Sequence, residues 1–225
     1  MPELLDLYCK AGGTSKGYAD AGFTITGVDI EPQKNYPFKF VCMDALEYLE
    51  KYGHLYDVIA ASPPCQKYSV TSVLHPEIEY PDLIEPTRKL LINSGKSYVI
   101  ENVVDAPLIK PIRLCGTQFG LKVYRHRLFE SNLPIIGLPH KSHQDTTPSA
   151  GHGISPKGFI SIAGMGYNRK YAEKAMDINW MSKNELSQAI PPAYTQFIGE
   201  QLMRFLTNGT KPIIRISVDG IMTFV

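Results

Sequence analysis

The chain has 225 residues, 44% of them hydrophobic, which is enough for one α/β core and too short for two comfortable domains. Its 23 basic and 22 acidic side chains leave a formal charge of +1, so it has no global electrostatic footprint for nucleic acid, and any polynucleotide contact must come from a local basic face. The opening MPELLDLY lacks a basic region before an apolar run, and no stretch approaches the roughly 18 apolar residues of a membrane span; the expectation is a soluble cytoplasmic monomer without membrane association.

In chain order, apolar runs and helix-like segments alternate at Glu3–Tyr8, Thr14–Ala21, Phe23–Asp29, Ala45–Tyr52, Tyr56–Ala60, Asp82–Ser94 and Ser97–Glu101. That rhythm predicts βαβ units, a Rossmann-like α/β fold whose mostly parallel sheet carries helices on both faces. The runs end in DLY, GVDI, VIAASPP and VIEN, placing polar residues at the carboxyl ends of buried strands, where open parallel sheets bind ligands.

After Pro111 the pattern changes to short β-like pieces around Leu121–Phe129, then a loop rich in Pro, Gly, Ser and His from Ser131 to Gly158. A helical segment around Lys183–Thr207 follows Ser182, a plausible N-cap, and is broken by Pro191 and Pro192. The last stretch, IIRISVDGIMTF, reads as a hairpin turning at Asp219–Gly220. The expected organisation is a core over 1–130, a loop region over 131–158, a segment over 159–206 that returns to the core, and a tail hairpin over 207–225.

The turn Asp6-Leu-Tyr-Cys-Lys-Ala-Gly-Gly-Thr-Ser-Lys-Gly17 joins a strand to a helix, and its glycines let a ligand approach the backbone. It is not a P-loop, because Gly17 follows Lys16. Asp29 ends the second strand, where a carboxylate can accept from ribose hydroxyls, and Asp44 follows the third, where it can accept from an adenine amino group. Either aspartate alone is equally at home as a turn or N-cap residue.

In Ser62-Pro-Pro-Cys-Gln66 two prolines fix the backbone just before Cys65, at the ligand edge of the sheet. A thiolate there can add to a pyrimidine ring and make the neighbouring carbon nucleophilic. Glu101 ends the next strand and faces the same cleft; desolvation would raise its pKa and let it protonate the ring edge. Arg125 and Arg127 alternate along an expected strand, which sends both to one face, where one can contact the base carbonyl and the other can position Glu101 or a phosphate.

These motifs, in this order from about Leu4 to about Leu206, resemble the DNA cytosine-5 methyltransferases, in particular compact phage and prokaryotic members. DLYCKAGGTSKG resembles the first cofactor motif with Cys9 and Lys10 in place of small residues, GVDIEP the second with Asp for Glu, SPPCQ the nucleophile motif, ENV the glutamate motif and YRHRLF the arginine motif. LSQAIPPAYTQFIGEQL resembles the last, with Gln188 replacing Asn.

The resemblance implies transfer of a methyl group from S-adenosylmethionine to C5 of cytosine in DNA, with Cys65 as covalent nucleophile and Glu101, Arg125 and Arg127 as catalytic partners. It implies a cofactor pocket of Asp6, Tyr8, Gly12, Gly13, Asp29, Ile30, Asp44, Ala45, Pro63 and Gln188. Duplex DNA with a flipped cytosine is the expected partner, contacted by Gln66, Ser69 and their neighbours, in DNA methylation of the kind that accompanies restriction-modification. Alternatives are methylation of cytosine in tRNA and a non-catalytic module that binds cofactor and DNA.

The recognition region available, Ser131 to Gly158, is short and offers Lys141, His143, Gln144 and Lys157, which predicts a short or relaxed target sequence. His140, His143 and His152 lack an evident fourth ligand, and the four cysteines (Cys9, Cys42, Cys65, Cys115) form no C-x-x-C pair, so no metal site and no disulfide framework is expected. Trp180 and the methionines at 176 and 181 are expected to pack the final segment on the core.

Overall fold

The computed structural model describes residues 1–68, 81–143, 153–164, 166–208, 214–216 and 222–224. The aliphatic runs form β1 (Glu3–Leu7), β2 (Thr24–Asp29), β3 (Lys39–Cys42), β4 (Val58–Ala61), β5 (Ser97–Asn102), β6 (Ile112–Leu114) and β7 (Arg127–Ser131). They lie in one sheet of order β3-β2-β1-β4-β5-β7-β6, in which β3 to β5 pair parallel and β7 runs antiparallel between β5 and β6. The strand order reverses between β1 and β4, and both carry motif residues at their carboxyl ends. Ligands of open α/β sheets bind at that switch point.

Side-chain alternation divides the core between the two faces. Leu4, Ile25, Val58, Ala60 and Val99 pack on one face against α1 (Gly13–Asp20) and α6 (Pro192–Asn208). Leu5, Leu7, Val28, Ile59, Ala61 and Ile100 pack on the other against α2 (Ala45–Tyr52) and α3 (Ile84–Ser94). Asp6 and Glu101 fall on the α1–α6 face by the same alternation, and both are buried.

Helix boundaries follow local chemistry. Asp44 caps α2, its Oδ1 accepting from the backbone of Leu46 and Glu47 at 2.9 Å each. The expected helix over Lys183–Thr207 is two helices: α5 (Lys183–Gln188), opened by a Ser182–Glu185 capping box, and α6, which restarts at Pro192. Gly17 on α1 is dictated by close approach, since a Cβ there would meet the Pro192 carbonyl at 2.0 Å; α6 lies directly on α1 and Thr195 donates to the Thr14 carbonyl at 2.8 Å.

Four features depart from the sequence expectation. The strand foreseen around Leu121–Phe129 begins only at Arg127. β6, three residues long, is too short to show alternation, and α4 (Arg169–Met176) was missed because polar residues dominate RKYAEKAM. The backbone after Ser131 also does not leave the core at once. Leu138 is buried, Leu133 and Ile135 pack against the same cluster, and the Gln201 side chain exchanges hydrogen bonds with both backbone groups of Ile136.

The tail hairpin is present as β8 (Ile214–Ile216) paired antiparallel with β9 (Met222–Phe224); its expected turn at Asp219–Gly220 lies outside the described residues. Trp180, Met176 and Met181 do pack the final segment against Ala11 and Leu186. No helix among the described residues is long and apolar enough to cross a membrane.

Candidate active site

The parallel pairing of β4 with β5 runs to Ala61 opposite Ile100, so the next rung sets Ser62 beside Glu101. Two residues on, the chain is tied again: Asn102 Nδ2 donates to the Pro63 carbonyl at 2.9 Å, while Asn102 Oδ1 accepts from the Val103 amide. Asn102 is fully buried, which makes this bond the link between the glutamate strand and the loop that carries Cys65. Tyr68 then donates its amide to the Cys65 carbonyl at 3.0 Å, closing a short 3-10 turn.

Cys65 is partly buried. Burial pushes its thiol up, as does Glu101, while the charges of Arg127 and Arg125 pull it down. Glu101 is 7% exposed, and burial raises its carboxyl above the usual range against the pull of Arg127, Ser62 and Arg125. Burial thus shifts this carboxyl toward protonation, while the arginines hold it toward the charged form. Glu101 Oε1 has no hydrogen-bond partner, although Arg127 Nε stands 3.1 Å away as an ion pair.

Arg127 pairs with this carboxylate and Arg125 acts on it through its charge, but strand alternation does not place them. Arg127 is the first residue of β7, whereas Arg125 lies before the strand with φ of +36°. That backbone is held from behind by Tyr194, whose hydroxyl donates to the carbonyls of Tyr124 and Arg125. The Arg125 guanidinium donates to the Ser187 carbonyl at 2.7 Å and the Ile162 carbonyl at 3.3 Å, and its Nε has no partner. Burial and the neighbouring Arg127 press against its charge, which an arginine nonetheless keeps.

The glycine turn is built around Asp6. Thr14 and Ser15 donate their hydroxyls to Asp6 Oδ2, leaving Oδ1 without a partner. Tyr8 and Lys10 adopt positive φ (59° and 44°), and Gly12 follows at 82°. Non-glycine residues rarely hold such angles unless the surroundings impose them, and they concentrate at ligand sites. Trp180 Nε1 donates to the Ala11 carbonyl at 2.9 Å, and the Tyr8 hydroxyl bonds Thr87.

Asp29 is buried at the end of β2, accepting from the amides of Lys10 (3.1 Å) and Glu31 (3.2 Å), with Lys10 Nζ 3.7 Å away. The unusual lysine of the first motif thus balances the buried carboxylate of the second. Ile30 next to it is 68% exposed, an apolar side chain open at the sheet edge. Asp44 is exposed with both capping bonds on Oδ1, Ala45 and Pro63 are buried, and Gln188 is exposed at the end of α5. The last motif does return to the turn: a Cβ on Gly13 would meet the Ile190 carbonyl at 2.6 Å, and Asn35 bonds Glu185 across the gap.

An unpaired buried carboxylate oxygen, a left-handed turn and an open apolar side chain at one strand edge fit a nucleoside cofactor with a charged amino-acid end. Residues that the sequence pattern did not single out are Asn102, Tyr194, Ser62 and Thr87, all acting through contacts distant in sequence. Lys141 and Lys157 are exposed. Ser69, Gln144, His152 and the Gln66 side chain lie outside the described residues.

No family model and no curated protein matches the chain. Solved structures do. A candidate DNA modification methyltransferase encoded within an E. coli prophage superposes with a TM-score of 0.67 at 15% identity, covering 92% of this chain and 100% of its own. The S. pombe Dnmt2 methyltransferase gives 0.59 at 12% identity, covering 92% and 99%. The Entamoeba histolytica methyltransferase EhMeth gives 0.55 at 15%, covering 93% and 98%. The chain has the Rossmann-like fold of S-adenosylmethionine-dependent methyltransferases.

Proposed function

We propose that this protein transfers a methyl group from S-adenosylmethionine to C5 of cytosine in DNA through a covalent adduct on Cys65. The observation that carries the reading is the arrangement at the switch point. The SPPCQ loop is fastened to the ENV strand by the Asn102–Pro63 bond, and the buried Glu101 beside it is paired with Arg127.

Asp6, the 8–13 turn, Asp29, Ile30 and Asp44 would hold the cofactor. When bound, S-adenosylmethionine supplies an electrophilic methyl group. The chain's own residues make the base receptive. Cys65 adds as thiolate to C6, and Arg127 and Arg125 lower the cost of that charge. Glu101, whose burial raises its carboxyl above the usual range, donates to N3 when protonated and stabilises the charge the addition places on the ring. The enamine so formed makes C5 a nucleophile. After methyl transfer, loss of the C5 proton and expulsion of Cys65 restore the aromatic base and the free enzyme.

A cytosine in duplex DNA must leave the stack to reach a partly buried thiol on the loop after β4. The deciding experiment is transfer of labelled methyl to duplex DNA, single-stranded DNA and tRNA, with nucleoside analysis of each product. The expected product is 5-methylcytosine in DNA. Label in tRNA alone would reassign the substrate, and cofactor binding without transfer would make the chain a binding module.

A further inference from the structure

The antiparallel pairing of β6 with β7 matches Ile112 to Phe129, Arg113 to Leu128 and Leu114 to Arg127, so the next rung brings Cys115 beside His126. His140 and His143, one helical turn apart in spacing, follow the point where Leu138 enters the core. Their side chains meet at that rung. His126 Nε2 lies 2.9 Å from His143 Nε2 and 3.2 Å from His140 Nε2, and Cys115 Sγ lies 3.5 Å from His143 Nε2. All four donor atoms fall within 4.8 Å of one another.

We propose that Cys115, His126, His140 and His143 form a structural zinc site. In a tetrahedral site with Zn–N of about 2.0–2.1 Å and Zn–S of about 2.3 Å, adjacent nitrogens stand about 3.4 Å apart and nitrogen and sulfur about 3.6 Å. The observed separations already approach these values. One thiol and three imidazoles, with no carboxylate in the cluster, suit zinc and not the oxygen-seeking magnesium or calcium. Four protein donors leave no position for a substrate, so the site is structural.

The surroundings support the ligands individually. Thr117 Oγ1 lies 3.2 Å from Cys115 Sγ and can donate to a thiolate. Tyr124 stacks on the His143 ring with centroids 3.7 Å apart and 14° between planes, which fixes the ring's direction. Arg113 approaches Nδ1 of His140 at a long 3.4 Å; with zinc on Nε2 that nitrogen carries the proton, and this contact opens.

The site has a consequence for the catalytic face, because His126 sits between Arg125 and Arg127. Zinc on His126 would clamp the arginine segment to β6 and to the start of the 138–143 stretch. The fold places Cys115 and His126 beside His140 and His143, donors that the sequence pattern did not join to the loop histidines. His152 lies outside the described residues and is not needed. The inference is independent of the proposed methyl transfer.

The test uses the full chain, stripped with a chelator and titrated with zinc alone against a chromophoric competitor, then with cobalt(II) for spectroscopy. One equivalent should bind with about nanomolar affinity or better, and the cobalt form should show tetrahedral d–d bands with a thiolate charge-transfer band. Cys115→Ser should remove the charge-transfer band, and His143→Ala should weaken zinc binding at least about 100-fold. Cys42→Ser should change neither. Because Cys115 is fully buried, the half-exposed His143 position provides the second arm, and circular dichroism checks the fold of both variants. Substoichiometric zinc in the wild-type chain, or wild-type affinity in folded His143→Ala, would overturn the proposal.

Discussion

The side-chain amide of Asn102 donates to the carbonyl of Pro63 at 2.9 Å, entirely within the protein. That single bond spans 39 residues of sequence and sets the loop carrying Cys65 against the strand carrying Glu101. Asn102→Ala should leave a buried carbonyl without its donor, costing about 1–3 kcal/mol of stability, and should let the nucleophile loop drift. A displacement near 1 Å costs about 100-fold in rate. Turnover should fall by roughly that factor while cofactor affinity, measured by calorimetry, stays within about twofold. Unchanged turnover would remove Asn102 from the positioning role.

Cys65→Ser should abolish methyl transfer, because a serine hydroxyl is a far poorer nucleophile toward C6 than a thiolate. Cofactor binding should persist, since the proposed cofactor residues lie on the β1, β2 and α2 ends. Comparable activity in the serine variant would sink the covalent mechanism.

Glu101→Gln tests the proton at the ring edge. The neutral amide can donate a hydrogen bond but cannot release a proton, so the rate should fall at least about 100-fold. The residual rate should lose the alkaline limb that Glu101 ionisation gives the wild type. That limb lies above the ordinary carboxylate range, because burial raises this group. A wild-type pH profile without such a limb, with chemistry rate-limiting, would count against Glu101 as the acid.

Asp6 predicts a pH dependence of stability. Complete burial pushes its carboxyl up from an ordinary 3.8 to about 6, against the opposing hydroxyls of Ser15 and Thr14. Below pH 4 folded and unfolded chains both hold the proton and the group contributes no difference. Between 4 and 6 the unfolded chain releases it while the folded chain keeps it, so stability falls as pH rises, by about 3 kcal/mol, and the cost persists above that window. Asp6→Asn should therefore gain on the wild type across that interval in paired denaturant titrations. Parallel curves would show that Asp6 does not titrate there.

Arg88 and Glu130 form a buried bidentate pair, with Arg88 Nε and Nη2 at 2.9 and 2.8 Å from the two carboxylate oxygens. The pair joins α3 to β7, the strand that begins at Arg127. Glu130→Ala removes the buried carboxylate of this pair and leaves Arg88 with only the exposed Glu85 and the Pro107 carbonyl, so it should destabilise the fold by about 3 kcal/mol, the low end for a broken buried pair. The double variant Arg88→Met with Glu130→Ala should recover part of that loss, which chemical unfolding measures directly. A double variant no more stable than the single would place the effect in packing.

Much of this architecture is legible locally. Short apolar runs mark β1, β2, β4 and β5, because a strand buried on both faces must be apolar along its length. Prolines before Cys65, and acidic residues closing β2 and β5, mark the ligand edge, because polar side chains are tolerated where a strand emerges from the core. Even the unexpected lysine of the first motif was visible, although its purpose was not: Asp29 balances it from 19 residues away.

What local pattern could not decide is which distant groups meet. Arg127 reaches Glu101 from the first residue of β7, whereas Arg125 comes near it on a left-handed backbone held by Tyr194, not through the strand alternation their spacing suggests. Likewise Cys115 and His126 look unrelated until the β6–β7 register sets them at the ends of adjoining strands, where His140 and His143 complete the cluster. Periodicity reports how one segment partitions between core and solvent. Strand register and helix docking are set by the packing of the whole core, and they alone place side chains from separate segments within bonding distance.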